Sequence, residues 1–197
     1  MNSGVIISLV CAYLLGSLPT GVWLSRLLYG RDIRDYGNGN SGARNVTHVL
    51  GWKAGIIVAF GDFLKGALAM LVARRMGLTL EWQILSGFSA VIGHDFPVFA
   101  EFKGGQGMAT SLGTMMVLFY RETLIGLLIF GLVYLLIRHF DISAAIGLGG
   151  MAFLLWTNNE PRILLYYLVA AFLSIPLKKL LDARFRIPEK AEQHIKN

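Results

Sequence analysis

Apolar runs about as long as a bilayer is thick recur from one end of this chain to the other, and no other feature constrains its fold as strongly. About 20 apolar residues in helical form cross a hydrocarbon core. The runs expected to do so cover about 4–28, 52–76, 81–98, 105–120, 122–138, 142–158 and 161–180. The expected fold is therefore an all-α integral membrane protein with about seven transmembrane helices in a single polytopic domain. Composition agrees: 15% of the 197 residues are charged and 55% hydrophobic, whereas a soluble domain is about a quarter charged. Several runs have only 16–18 residues, which limits tilting and leaves room for short, half-inserted helices. The first run has no basic segment before it and no small-x-small cleavage pattern after it, so it reads as a span and not as a removed signal peptide. Cys11 is the single cysteine, which excludes a disulfide within the chain.

The basic residues give a direction. Thirteen of the 18 Lys and Arg fall on one side, among them Arg26, Arg31, Arg34, Lys53 and the tail from Lys178 to Lys196. Arg74, Arg75, Arg121 and Arg162 fall on the other, and Lys65 lies within a run. The positive-inside rule then puts the N-terminus outside and the C-terminus in the cytoplasm. The basic tail, about 178–197, is expected to rest on anionic headgroups. It supplies much of the net charge of +6, so membrane lipids are the implied partner and no nucleic acid is needed. Three polar segments, 36–48, 93–107 and 138–143, all fall on the cytoplasmic side.

Residues 34–51 read RDYGNGNSGARNVTHVLG. Glycines such as Gly39, set between Asn38 and Asn40, permit positive φ and close backbone approach, and the short amides add donors. Such a turn before a helix suits an anion-binding nest; a polar connector fits the same residues. Residues 93–113 read GHDFPVFAEFKGGQGMATSLG. Lys103 adjoins Gly104, Gly105, Gln106 and Gly107, ahead of an apolar helix with Thr110 and Ser111 in its first turns. Amides and helix dipole offer partial positive charge there and Lys103 a full one, which suits a phosphate. Phe96, Phe99 and Phe102 are placed to seat this loop in the membrane interface. His94 and Asp95 close the preceding span, and a lone histidine there is more often a hydrogen-bonded structural group than a catalyst. No second histidine stands at ligand spacing, so no metal site is expected. Asp62 and Lys65 lie three apart on one helical face near mid-span. Charges at that depth mark function or lock two helices as an ion pair. Residues 16–21, GSLPTG, loosen the first span for close packing or a kink.

Taken together, these segments resemble the bacterial acyl-phosphate:glycerol-3-phosphate acyltransferases, the PlsY family. Its members carry GSGNxGATN, DxxKG and GHxFPVFxxFKGGKGVAT in this order. The chain has GNGNSGARN at 37–45, DFLKG at 62–66 and GHDFPVFAEFKGGQGMAT at 93–110, and Gly16-Ser17 also matches. The resemblance weakens after about residue 140. It implies a seven-span fold in the bacterial inner membrane with the site on the cytoplasmic face. It also implies a reaction in phospholipid synthesis: the primary hydroxyl of glycerol 3-phosphate attacks the carbonyl of an acyl phosphate, giving lysophosphatidate and phosphate. No cofactor is implied. Lys103, Asn45 and His94 become the implied catalytic residues. Ser17, Gly104, Gly105, Gln106, Gly107 and Thr110 bind substrate, with Asn38, Gly39, Asn40, Arg44 and His48 toward the acceptor. Asp62 and Lys65 support the frame. None of His48, His94 and His139 stands in an HxxxxD motif, and the substrate's own phosphate is implied to help take the hydroxyl proton.

The chain departs from the family at Asn38 (Ser), Arg44 (Thr), His48 (usually Arg) and Gln106 (Lys). In place of the family's C-terminal RHxxNIxRL, residues 175–185 read IPLKKLLDARF. Arg44, Lys178 and Lys179 are candidates to supply the lost charge, although lysine lacks arginine's planar fork. Two other readings stay open. One keeps the donor but moves the acyl group to a different small hydroxyl acceptor. The other is a non-catalytic paralogue that binds lipid or phosphate, or a small-anion carrier; polar motifs confined to one face argue against the carrier.

Overall fold

The structure is a computed structural model that describes residues 3–184, and all its regular elements among these are helical. Nine α-helices follow in order: α1 (Ser3–Gly16), α2 (Thr20–Tyr29), α3 (Ala43–Leu50), α4 (Trp52–Arg75), α5 (Leu80–Asp95), α6 (Met108–Leu118), α7 (Tyr120–Ile137), α8 (Phe140–Thr157) and α9 (Arg162–Arg184). The long helix α4 is the hub, packing against α1, α3, α5 and α6, while α7 pairs with α8. Glycines set the closest crossings. A Cβ at Gly66 would overlap the Thr110 carbonyl, and one at Gly113 the Phe63 carbonyl, so α4 and α6 meet backbone to backbone. Gly93 meets Tyr13 in the same way, joining α5 to α1. Small residues at such crossings are how helices approach closely in lipid.

Among the described residues, five helical segments are long and apolar enough to cross a membrane: Ser3–Tyr29, Trp52–Arg75, Tyr120–Ile137, Phe140–Thr157 and Arg162–Asp182. The expected spans at 81–98 and 105–120 correspond to α5 and α6, which have 16 and 11 residues. At 1.5 Å per residue these reach only about 24 and 16 Å. The shortening has local causes. Pro97 bars helix beyond α5, and α6 starts only after Gly107, at φ 69°. Phe119, at φ −143°, then breaks α6 from α7. The first expected span is likewise divided: Pro19 withdraws an N–H and disfavours helix at Leu18, so α1 stops at Gly16 and α2 begins at Thr20.

Large apolar side chains face outward, with Leu27 82%, Leu136 83% and Trp156 74% exposed. The interior holds an apolar core around Met115, Leu155 and Tyr167, but also buried polar groups, such as the Ser8–Ser86 hydroxyl pair at 2.9 Å. A greasy exterior around such an interior is that of a multi-pass membrane protein. Of the expected basic tail, Arg186, Lys190 and Lys196 lie outside the described residues. Lys178, expected at its start among headgroups, is instead buried.

Candidate active site

The break at residues 17–19 organises the deepest part of the site. Freed from helical bonding, the Leu18 carbonyl accepts from Lys65 Nζ at 2.8 Å. Lys65 lies 2.9 Å from Asp62 Oδ1, and that same oxygen accepts from Thr20 Oγ1 at 2.9 Å. The intrahelical ion pair thus ties α4 to both sides of the break. His94 Nδ1 stands 3.5 Å from Asp62 Oδ1, and the opposite edge of the ring lies against Gly105, where any Cβ would overlap it. His94 therefore spans from the buried pair to the glycine loop. Ser17 Oγ, His94 Nδ1, Asp95 Oδ1, Thr110 Oγ1 and Ser111 Oγ are all buried without a hydrogen-bond partner among the described residues. Buried polar atoms are normally satisfied. His94 Nδ1 faces Asp62; the other four orphans cluster at the ends of α1 and α5 and the start of α6.

Above this core lie two loops. In the first, the asparagines form a ladder of local turns. Asn38 Oδ1 accepts from the Asn40 amide at 3.0 Å, and Asn40 Oδ1 from the Gly42 amide at 2.7 Å. Asn45 is the strut beneath: its Oδ1 accepts from the Asn38 amide at 2.9 Å, and its Nδ2 donates to the carbonyls of Asn40 (2.8 Å), Tyr36 (3.1 Å) and Ile33 (3.3 Å). Its carboxamide is fully occupied in shaping the loop. Gly37 and Gly39 take the positive φ that the ladder requires.

In the second loop, the Gly104 and Gly105 amides donate to the Asp95 and His94 carbonyls at 3.2 and 3.1 Å. These two glycines thus fasten the loop onto the end of α5. The donors left for an anion are the Gln106 and Gly107 amides and the first turn of α6, whose N–H groups have no intrahelical partner. Glu101 and Phe102 both hold positive φ, 57° and 59°, a strained pair that bends the chain just before Lys103. Lys103 is exposed, and Phe99 and Phe102 stand out beside it at 53% and 58% exposure.

Arg34 fastens the loops together. Its Nε and Nη2 fork onto Asp32 at 3.0 and 2.8 Å, while Nη1 donates to the Ala100 carbonyl at 2.6 Å. Burial alone would push the Asp32 carboxyl up, but the bonds and charge of Arg34, with Arg26 in support, hold it down at about 2. The Asp32 hydrogen bond in turn raises Arg34 above its ordinary value, against burial. Neither residue stood out in the sequence, where the only trace is an aspartate two positions ahead of an arginine.

Ser17, Asp62, Lys65, His94, Gly105, Gly107 and Thr110 are thus gathered at one locus, with Asn38, Gly39, Asn40 and Asn45 in the loop tied to it. Arg44 and His48 are exposed on α3. Arg44 turns to α8, 3.3 Å from Asp141 and 5.4 Å from the Phe140 ring centroid. No group of three His, Cys, Asp or Glu among the described residues is arranged to hold a metal ion.

The fold and site define a class: a helical membrane protein with a glycine-rich loop fixed over a buried ion pair. Its family follows from comparison. The chain belongs to the glycerol-3-phosphate acyltransferase family, whose model matches residues 6–182. It is 49% identical over 112 residues to the glycerol-3-phosphate acyltransferase of Streptococcus mutans serotype c, covering 57% of this chain and 53% of that protein. In that alignment the chain spans about half the relative's length. Glycerol-3-phosphate acyltransferase 1 of Dehalococcoides mccartyi is 35% identical over 193 residues, 94% of this chain and 92% of the relative. The crystal structure of PlsY, an integral membrane glycerol 3-phosphate acyltransferase, in its glycerol 3-phosphate form matches with a TM-score of 0.80 at 31% identity, over 91% of this chain and 90% of that one.

Proposed function

We propose that this protein is a membrane acyltransferase that moves a fatty acyl group from acyl phosphate to the primary hydroxyl of glycerol 3-phosphate. The hydroxyl oxygen bonds to the acyl carbon, the bond from that carbon to the phosphate oxygen breaks, and the hydroxyl proton leaves on the departing phosphate. Lysophosphatidate and inorganic phosphate result. An acyl phosphate is already activated, so catalysis consists chiefly of holding two reactants together and stabilising the departing charge. The observation that carries this reading is the loop at 103–108: an exposed lysine, two free amides and a helix N-terminus, fastened through Gly104, Gly105 and His94 to the buried Asp62–Lys65 pair. Lys103 neutralises the donor phosphate. Asn45 positions the acceptor loop, and His94 fixes the glycine turn and presents its outer edge to it.

The chain crosses a bacterial inner membrane seven times, with α1–α2 as one passage and α3 at the surface. The site faces the cytoplasm, in line with the charge asymmetry. A different small hydroxyl acceptor is the second reading. It is favoured by Arg44, which turns to Asp141 and Phe140, and by Asn38, whose side-chain oxygen is taken by the Asn40 amide.

Phosphate release by the purified protein in detergent, with palmitoyl phosphate and with or without glycerol 3-phosphate, tests both readings. The first expects acceptor-dependent release with lysophosphatidate identified by mass, and at least a hundredfold loss in Lys103→Ala, about 3 kcal/mol of transition-state stabilisation. Undiminished turnover in folded Lys103→Ala would refute the loop's role. Transfer supported only by another polyol or a lysolipid would favour the second reading.

A further inference from the structure

The glycine loop precedes α6, and the other end of that short helix borders a cleft of about 540 Å³. Phe119, Tyr120, Arg121 and Glu122 line it where α6 gives way to α7, and Asn158 and Glu160 line it from the turn after α8. Glu122 is only 5% exposed, and a carboxylate so deeply buried is normally paired with a cation. The buried Asp62 has Lys65. Glu122 instead accepts from Asn158 Nδ2, at 3.0 Å on Oε1, and makes no ion pair among the described residues. Its place in the first turn of α7 offsets part of the charge. A cation at Oε2 is the missing partner.

The guanidinium beside it is in the complementary condition. Arg121 Nε donates to Tyr120 Oη at 3.0 Å, and Arg121 Cζ lies 5.7 Å from the centroid of that ring. One nitrogen is thus held, and the Nη1 and Nη2 edge is left for an anion, in the fork that suits a phosphate. Arg121 and Glu122 line one cleft without pairing, because consecutive side chains on a helix do not face each other. A single ligand that carries both charges answers both residues. The aromatic side chains at this end, Tyr120, Trp156 and Tyr166, stand outward, and such rings sit at headgroup level. The cleft therefore opens where lipid headgroups lie.

We propose that this cleft binds the headgroup of a zwitterionic aminophospholipid, with its primary ammonium on Glu122 and Glu160 and its phosphate on Arg121. A primary ammonium brings three donors, which the two carboxylates are placed to accept. The buried carboxylate sets the preference. An anionic lipid without an amine meets Arg121 equally well, but it leaves Glu122 without a cation and sets its own charge against both carboxylates. The site lies away from the glycine loop and does not depend on the acyl-transfer reading.

Thermal unfolding of the purified protein in detergent, with dioleoylphosphatidylethanolamine or dioleoylphosphatidylglycerol added at equal mole fraction, tests this. The ethanolamine lipid is expected to raise the wild-type midpoint by about 3 °C or more beyond the glycerol lipid. Glu122→Gln keeps an oxygen for Asn158 and removes the charge, so the tie between α7 and the turn after α8 survives while the difference between the lipids disappears. Arg121→Gln, at an exposed position, is expected to cut the ethanolamine shift by half or more. Equal protection of the wild type by both lipids overturns the proposal, as does a preference that survives in Glu122→Gln. Should Glu122→Gln fail to fold, Arg121→Gln decides, and an undiminished shift there overturns it. Soluble phosphoethanolamine that protects as well as the lipid would overturn the lipid assignment in favour of a small free zwitterion.

Discussion

Arg34 and the Ala100 carbonyl it reaches are 66 residues apart in sequence, and this one side chain decides how two loops stand relative to each other. The guanidinium can do so because Asp32 takes one edge of its fork and leaves Nη1 for Ala100. A lysine offers a point charge and no second edge. Arg34→Lys is therefore expected to leave the protein folded while lowering kcat/KM for the proposed acyl transfer about 10–100-fold, by loosening the position of one reactant against the other. Wild-type kinetics in a folded variant would remove Arg34 from the account. The pH behaviour of the tie follows from its acid. The Asp32 carboxyl is held at about 2 in the folded chain, below its unfolded value of about 3.9. Its contribution is therefore complete above about pH 4 and is lost as pH falls through about 2. Asp32→Asn removes it at every pH. Amide hydrogen exchange at 33–36, followed at neutral pH, is expected to quicken roughly tenfold or more in that variant; unchanged exchange would mean that the turn's own backbone bonds and Ser25 hold the loop.

Among the elements, α4 carries the largest electrostatic commitment, a carboxylate and an ammonium deep in an apolar helix. Removing one partner of such a pair leaves an uncompensated buried charge. Lys65→Met is thus expected to destabilise the protein by about 3–5 kcal/mol, and Asp62→Leu with Lys65→Met to recover part of that loss. Thermal unfolding in detergent compares them; a double variant as unstable as the two single losses added would show that the groups do not act as a pair. The pair was legible in sequence, because spacing of three puts both groups on one helical face, and so were the apolar runs that became helices. The link between them was not. That Lys65 would bond the Leu18 carbonyl depends on Pro19 halting α1, and on the packing of α1 against α4 that brings together residues 47 apart. The asparagines show the same limit on a smaller scale. Sequence marks Asn38, Asn40 and Asn45 as donors and acceptors near a turn, but short amides compete first for their own backbone, and here the backbone takes them. Span length was over-read at 81–98 and 105–120 because Pro97, Gly107 and Phe119, which bound the two helices, lie within otherwise apolar runs.

At the scale of the whole molecule, three long-range contacts gather the polar segments at one end of the bundle. Arg34 joins the first loop to the second, Arg44 joins α3 to the start of α8, and Lys178 joins α9 to the end of α5. The turn between α8 and α9 belongs to the opposite end, because each of these helices traverses the bundle once. This bears on orientation: if thirteen basic residues mark the cytoplasmic side, then both loops share it and the turn at 158–161 does not. The single cysteine makes this straightforward to test. In a Cys11→Ser background, Asn38→Cys and Glu160→Cys each introduce one thiol at an exposed position. A membrane-impermeant maleimide added to right-side-out spheroplasts is expected to label Glu160→Cys and to reach Asn38→Cys only after lysis. The reverse pattern would turn the site to the outer face, away from a cytoplasmic supply of the two proposed substrates. Labelling of both before lysis would break the proposed seven-crossing arrangement, most directly at α5 or α6, whose 16 and 11 residues span the least of the bilayer.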